Sequence, residues 1–286
     1  MSVGESILMT VYNREPEVLL NTFRWLASCD LSDSEIIVVD DCSTMDYSWI
    51  DAYKGRFNMK WIKLDEYPAY RIDGFNNPAR AFNAALQAAE GERVCILSSD
   101  VIVPERVIAK ARQSYDHNAV WCPMTIDLAT SAEYCGPHRV FPMPWFLYTS
   151  KAKCIEAGGW DENFLFGMCW EDNDFVGRLA LVTERINCDW NSVCWHQSHY
   201  QPAYEIQNED ILNANQRSKR YITKKWAGGI PFGPPDQLAL GMSRSRDEAT
   251  GNFCLKFDDF KNIKDRVIAC TLSPFVAPLV AEGLGD

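Results

Sequence analysis

Apolar and polar positions along this chain alternate in blocks. Ser6 to Tyr12 (SILMTVY) is a short apolar run of strand type, broken by Asn13-Arg14-Glu15-Pro16. From Glu17 to Ala27, apolar residues recur at Val18, Leu19, Phe23, Leu26 and Ala27, the spacing of one helix face. Glu35 to Val39 (EIIVV) predicts a second strand that ends in Asp40-Asp41-Cys42-Ser43-Thr44, and Met59 to Leu64 predicts a third. Asn77 to Glu90 reads as an Ala-rich helix, with Pro78 near its first turn and Gly91 at its C-terminal end. Val94 to Leu97 is a fourth strand running into Ser98-Ser99-Asp100, and a further helix follows Pro104. Strands alternating with helices in this way predict a parallel, three-layer α/β sheet.

Beyond Tyr115 the texture changes to aromatic-rich segments punctuated by proline (VWCPMTIDL, RVFPMPWFLYTS), then GGWDENFLFGMCWEDNDFVGRLA. The sheet is expected to continue there with less regular elements, and Glu205 to Trp226 reads as a polar helix. The division expected is an α/β half over 1–115, a second half of the same domain over 116–228 and an extension over 229–286 with no assigned role.

Composition narrows the partners. The 286 residues carry 28 Lys+Arg against 39 Asp+Glu, a formal net charge of -11, and 47% are hydrophobic, enough for a large core. Disorder is excluded as the global state. The acidic balance argues against a nucleic-acid polymer as partner, because phosphate-backbone binding needs a basic surface. The start lacks a basic segment followed by an apolar one, and no stretch reaches the roughly 18 apolar residues of a membrane span. The 11 Cys are scattered, without paired C-x-x-C spacing. A cytoplasmic protein with reduced thiols is expected.

Three polar clusters follow strands: Thr10 to Asn13, Asp40-Asp41 and Ser98 to Asp100. In a parallel sheet they converge on one rim, where ligands of open α/β folds sit. Each alone would pass as an ordinary turn. There is no G-x-G-x-x-G after the first strand, no G-x-x-x-x-G-K-[ST] and no G-x-S-x-G, which disfavours dinucleotide binding, a P-loop and a serine-hydrolase elbow. What remains is a rim of carboxylates and aromatics, to which an anionic ligand would need a divalent cation as a bridge.

The blocks SILMTVYNRE, EIIVVDDCST, NPARAFNAALQAAEGERVCILSSDVIVP, GGWDENFLFGMCWEDNDFVGRLA and VCWH, from about Ser6 to Trp226, together resemble the family 2 glycosyltransferases. That resemblance implies a GT-A type three-layer α/β/α sandwich with a mostly parallel central sheet, and transfer of a sugar from a nucleotide diphosphate sugar, UDP-sugar by default, to a glycan or other hydroxyl acceptor. It places Thr10, Tyr12 and Asp41 on the nucleotide base and ribose. Stacking by Tyr12 and acceptance of an N–H or hydroxyl by Asp41 suit those positions. Arg80 and Asn83 match positions that face the nucleotide, and an arginine there offsets diphosphate charge.

The usual D-x-D is here Ser98-Ser99-Asp100, which keeps the last carboxylate, the one expected on the metal. His196 matches a late metal ligand, with His199 a competing candidate. Asp oxygen plus His nitrogen favours manganese over magnesium. By the same resemblance Asp172 is the general base that deprotonates the acceptor hydroxyl, Glu171 assists it, and Trp170 offers a face to the acceptor sugar, with Trp160 the more core-like of the two tryptophans. The expected reaction is a single displacement with inversion at the anomeric carbon. The alternative is a catalytically degenerate carbohydrate- or nucleotide-binding protein of the same fold, since the metal triplet is reduced. A sugar-nucleotide pyrophosphorylase is disfavoured by TVYNREPE, which is neither Gly-rich nor basic overall, and a metal-dependent hydrolase by only four scattered His.

Overall fold

The computed structural model describes residues 3–72, 75–138, 142–199, 209–226, 243–246, 252–256 and 263–276. In chain order its strands are β1 (Glu5–Val11), β2 (Ser34–Asp40), β3 (Asn58–Lys63), β4 (Arg71–Ile72), β5 (Phe75–Asn76), β6 (Arg93–Leu97), β7 (Val101–Ile102), β8 (Ala119–Asp127), β9 (Glu133–Cys135), β10 (Phe146–Ser150), β11 (Arg185–His196), β12 (Ser243–Arg246) and β13 (Phe253–Lys256). The helices are α1 (Pro16–Leu26), α2 (Asp51–Lys54), α3 (Ala79–Ala88), α4 (Glu105–Gln113), α5 (Lys151–Glu156), α6 (Glu171–Val182), α7 (Glu209–Lys225) and α8 (Lys264–Ala269).

The expected first strands and helices appear within a few residues of their sequence boundaries. The part of the expected polar helix over 205–208 lies outside the described residues. The sheet runs β12-β13-β11-β8-β10-β6-β1-β2-β3. It is parallel through β6, β1, β2 and β3. Strand β10 enters antiparallel to both β6 and β8, β8 and β11 are again parallel, and β13 and β12 close the edge antiparallel.

Successive residues of a strand point to opposite faces, and both faces of this sheet are covered. On β1, Ile7, Met9 and Val11 pack with Leu19, Phe23 and Leu26 of α1 and with Val107 and Ile108 of α4. Leu8 faces the other layer with Ala81, Phe82, Ala85 and Leu86 of α3. Strands buried on both sides explain the unbroken apolar runs of the sequence. Proline at the first turn of α1 costs that helix no intrahelical bond. Among the described residues no disulfide links the cysteines and no helix is long and apolar enough to cross a membrane.

A buried ionic knot ties elements of the second half to one another and to residues 271 and 272. Asp174 of α6 accepts from Arg178 Nε at 2.8 Å, Lys225 Nζ at 2.9 Å and Trp226 Nε1 at 2.8 Å. Lys225 also reaches Asp161 at 2.7 Å and Thr271 at 3.0 Å. The backbone N–H of Leu272 completes Asp161 at 3.0 Å. Residues 263–276, whose role was unassigned from sequence, thus brace α6 from behind.

Candidate active site

The parallel strands end on one rim. Strand β1 delivers Thr10 and leads to Tyr12 and Arg14, β2 leads to Asp41, and β6 leads to Ser98-Ser99-Asp100. A cleft of about 180 Å³ opens there, lined by Thr10, Tyr12, Arg14, Ser98 and Ser99 on the strand-end side and by Glu171 and Asp172 from the second half. Phe75, Asn76, Phe82 and Trp145 supply further walls.

Asp41 lies at one end of this rim, 1% exposed. Tyr67 donates to its Oδ2 at 2.9 Å, Asn76 donates to the same oxygen, and Arg71 reaches Oδ1 at 3.4 Å. Burial raises the Asp41 pKa against the lowering by these partners. None of Tyr67, Arg71 and Asn76 was singled out from sequence. They belong to the segment after β3 that folds back over the end of β2, a connection with no periodic signal.

Asp100 is 3% exposed, and its neighbours come from three parts of the chain. Ser98 Oγ donates to Oδ1 at 2.7 Å, His199 Nε2 lies 3.0 Å and Arg14 Nη2 3.1 Å from Oδ2, and His196 Nε2 lies 3.7 Å from Oδ1. Topology explains why β11 arrives here. The residues straight after Asp100 form β7, which pairs antiparallel with the end of β11 and sets His196 opposite Val101. The backbone N–H of Gln197 donates to the Asp100 carbonyl at 2.8 Å. In parallel pairing with β8, His196 also sits opposite Asp127, whose Oδ2 is 3.9 Å from Nδ1. Burial alone would raise the Asp100 pKa, but Arg14 and the two imidazoles outweigh it and hold the carboxyl well below its ordinary range. Burial lowers the His196 pKa, favouring the neutral ring that can act as a ligand.

Asp100, His196 and His199 each offer a ligand atom, all within 4.8 Å of one another. The donor set fits a divalent cation that accepts mixed oxygen and nitrogen ligands, and His196 Nδ1 is a buried atom without a hydrogen-bond partner. Sequence reasoning weighed His199 against His196, and the structure brings both to Asp100. Arg14 and Asp127 were missed. Arg14 follows Tyr12 by two positions, and Asp127 ends a strand as Asp100 does, so position alone offered a signal for each.

Across the cleft, Cys169 and Trp170 adopt positive φ of 59° and 73°, immediately before α6. Non-glycine residues in this region carry backbone strain that surrounding structure must hold in place. The turn sets Glu171 and Asp172 in the first turn of α6, where the helix dipole favours negative charge. Glu171 is buried, and Asn77 Nδ2 donates to its Oε2 at 2.8 Å. Burial pushes the Glu171 pKa up to about 7. Asp172 is half-buried with an Oδ1 that has no hydrogen-bond partner, and burial together with the Glu171 charge raises its pKa well above the usual value.

The remaining expected residues lie away from the cleft wall. Trp170 turns its indole N–H toward Asn215 at 3.4 Å, and Lys219 Nζ is 5.8 Å from its ring. Trp160 is fully buried between Phe82 and Phe175, a core tryptophan. Arg80 is exposed and stacks over the Tyr67 ring at 4.1 Å. Asn83 is buried, with its amide committed to Trp160 and Glu162: it donates to the Trp160 carbonyl at 2.9 Å and Glu162 Oε1 at 2.8 Å, and accepts from Trp160 N–H at 2.8 Å.

A sheet with this strand order has the α/β architecture of the GT-A fold. The model for glycosyl transferase family 2 matches residues 6–169, and the chain belongs to that family. A 118-residue stretch is 30% identical to the poly(ribitol-phosphate) beta-N-acetylglucosaminyltransferase TarS of Staphylococcus aureus, in strains Mu50 / ATCC 700699 and MW2, covering 40% of this chain. It covers 19% of TarS, so the match spans about a fifth of the length of those curated relatives.

Among solved structures, S. aureus TarS 1-349 in complex with UDP-GlcNAc superposes with a TM-score of 0.58 at 19% identity, covering 77% of this chain and 66% of that one. The mannosyltransferase PcManGT from Pyrobaculum calidifontis with GDP-Man and Mn2+ gives 0.52 at 16%, covering 67% and 56%. GalNAc-T7 with UDP, GalNAc and Mn2+ gives 0.55 at 13%, covering 82% and 53%. These likenesses carry the fold.

Proposed function

We propose that this chain transfers a sugar from a nucleotide diphosphate sugar, with UDP as the first nucleotide to test, to a hydroxyl acceptor with inversion. The observation that carries this reading is the single cleft lined both by the strand-end residues of the first half and by Glu171-Asp172 of the second. Leaving group and nucleophile need separate partners on opposite sides of the anomeric carbon, and the cleft has two such walls.

In this reading Thr10 and Tyr12 hold the nucleotide, Tyr12 by stacking, while Asp41 positions ribose or base and Arg80, stacked on the Tyr67 that bonds Asp41, adds positive charge on that side. Asp100, His196 and His199 would hold a divalent cation, manganese before magnesium by ligand type. When bound, it supplies charge stabilisation for the departing diphosphate. Asp172 takes the proton of the acceptor hydroxyl as that oxygen bonds to the anomeric carbon and the bond to the diphosphate oxygen breaks. Burial and the Glu171 charge raise its proton affinity above that of an ordinary carboxylate, which suits a base. Glu171 bounds the acceptor side.

We assign 1–115 to the donor and 116–228 to the acceptor and base, with residues 229–286 as an extension of which residues 263–276 brace α6. Thiols unpaired at all the described cysteines support a reducing, cytoplasmic setting. A glycan is the first acceptor class to test.

The test is release of nucleoside diphosphate and formation of a glycoside, followed by mass spectrometry over a panel of UDP- and GDP-sugars with and without Mn2+. Transfer to an acceptor supports the reading, and hydrolysis alone or no turnover overturns it. A second reading, a binding protein without turnover, draws on Ser98 and Ser99 standing where further acidic residues are usual. Nucleotide binding without any sugar transfer would favour it.

A further inference from the structure

Asp100 already has a positive partner on its own chain. The Arg14 guanidinium sits 3.1 Å from Asp100 Oδ2, the oxygen that His199 Nε2 also approaches at 3.0 Å, while Ser98 occupies Oδ1 at 2.7 Å. Arg14 also donates through Nη1 to Nδ1 of His199. A guanidinium only donates, so Nδ1 must accept. The His199 proton then resides on Nε2, where it bonds to Asp100.

Two consequences follow for a cation at Asp100, His196 and His199. Asp100 Oδ2 is engaged by two donors, and the His199 nitrogen that faces Asp100 has no lone pair to give. A divalent ion and a guanidinium drawn to the same carboxylate oxygen also repel one another.

The Arg14 backbone is held. Tyr47 OH donates to its carbonyl at 2.7 Å, and the preceding Asn13, at φ 43°, is fixed through Ser43 and Thr44 at 2.9 and 2.8 Å. The side chain is not held in the same way. It lines the cleft, and its Nε is buried without a hydrogen-bond partner. Besides Asp100, Glu15 Oε2 lies 3.9 Å from Nη1, and a long side chain on a fixed Cα, with an unpaired donor beside a cleft, gains a further anionic partner when a diphosphate fills that cleft. The fork of an arginine matches a phosphate in geometry.

Resting on the reading of Asp100, His196 and His199 as a cation site, we propose that Arg14 is an exchangeable counter-ion. It neutralises Asp100 and sets the His199 tautomer while no cation is bound. It leaves that place when the cation enters and turns to the diphosphate of the donor. The chain thus keeps its buried carboxylate compensated in both states, and its affinity for the cation alone is held down by the need to displace Arg14.

The test compares Mn2+ uptake by the wild type, Arg14→Gln and Arg14→Met in the absence of nucleotide, read from the electron paramagnetic resonance signal of unbound Mn2+. Circular dichroism checks the fold of each protein, and Asp100→Asn serves as the control that abolishes uptake. Both Arg14 variants are expected to bind Mn2+ at least about tenfold more tightly than the wild type, and to bind UDP about tenfold more weakly at saturating Mn2+ by calorimetry. Unchanged or weaker Mn2+ affinity in both Arg14 variants overturns the exchange while leaving the cation site standing. No Mn2+ uptake by any of the proteins, with UDP still bound, overturns the cation site and the exchange together.

Discussion

The side-chain amide of Asn77 donates to the Glu171 carboxylate at 2.8 Å, across 94 positions of sequence. It joins a residue two positions before α3 to the first residue of α6, so Glu171 is held from the first half of the chain. The hydrogen bond and the backbone at the helix start favour the ionised form, but burial outweighs them and leaves Glu171 titrating at about 7. In the unfolded chain the same carboxyl returns to about 4.5.

The sign of the pH dependence follows from these two values. Between them the native state holds a proton that the unfolded chain has released, so this contribution to stability is complete below about 4.5 and is lost as pH rises through about 7. Asp172, also raised by burial and by the Glu171 charge, acts with the same sign. Urea unfolding of the wild type is expected to show lower stability at about pH 8 than at about pH 5.5, with a smaller decline in Glu171→Gln. An equal decline in both proteins would rule out Glu171 as its source.

Asp172 has a buried oxygen with no hydrogen-bond partner beside the cleft. Replacing Asp172 by Asn keeps the shape and removes the proton acceptor. Transfer is expected to fall by at least about 100-fold, the low end of what a positioned base contributes, with UDP affinity within about twofold of wild type by calorimetry. In Glu171→Gln the rising limb of the pH–rate profile should move to lower pH, because removing the neighbouring charge lowers the Asp172 pKa. Turnover retained in Asp172→Asn would end its assignment as base.

The strand ends were legible because fully buried parallel strands are continuous apolar runs, and the polar clusters beside their ends, Thr10 to Asn13, Asp40-Asp41 and Ser98 to Asp100, mark the rim; within those clusters Thr10, Asp41 and Asp100 came from resemblance. Glu171 and Asp172 came from resemblance, and His196 from the VCWH block. What stayed hidden was set by pairing between distant segments. Arg14 meets His199 across 185 positions and Asn77 meets Glu171 across 94, separations that no local pattern encodes. Spacing also conceals the contrast between Asp172 and Asp174. Two residues apart on a helix lie about 200° around the axis, so one borders the cleft and the other is sealed among Arg178, Lys225 and Trp226.

That contrast is open to measurement. Asp174, Arg178 and Lys225 have side chains 0–1% exposed, so removing the one carboxylate leaves the buried Arg178 without a counter-ion, while Lys225 keeps Asp161. Asp174→Ala is expected to cost about 3–5 kcal/mol by urea unfolding, the range for breaking a buried pair from one side. Arg178→Met combined with Asp174→Leu, which removes charge of both signs, should recover part of that loss. A cost below about 1 kcal/mol for Asp174→Ala would mean the knot is not a structural anchor.

Asn83 separates two roles for one residue. Resemblance put it on the nucleotide, whereas its amide and carbonyl close three hydrogen bonds with Trp160 and Glu162 at 2.8–2.9 Å. The loop it holds contains Gly159 at φ +64°, where an added Cβ would come within 2.6 Å of Asn83 Oδ1 and the Phe275 ring. Asn83→Ala therefore leaves a buried N–H and carbonyl of Trp160 unpaired, and a loss of about 1–3 kcal/mol is expected by urea unfolding. UDP affinity, measured by calorimetry well below the unfolding transition, should stay within about twofold. A tenfold weaker affinity for UDP with stability unchanged would return Asn83 to the donor site.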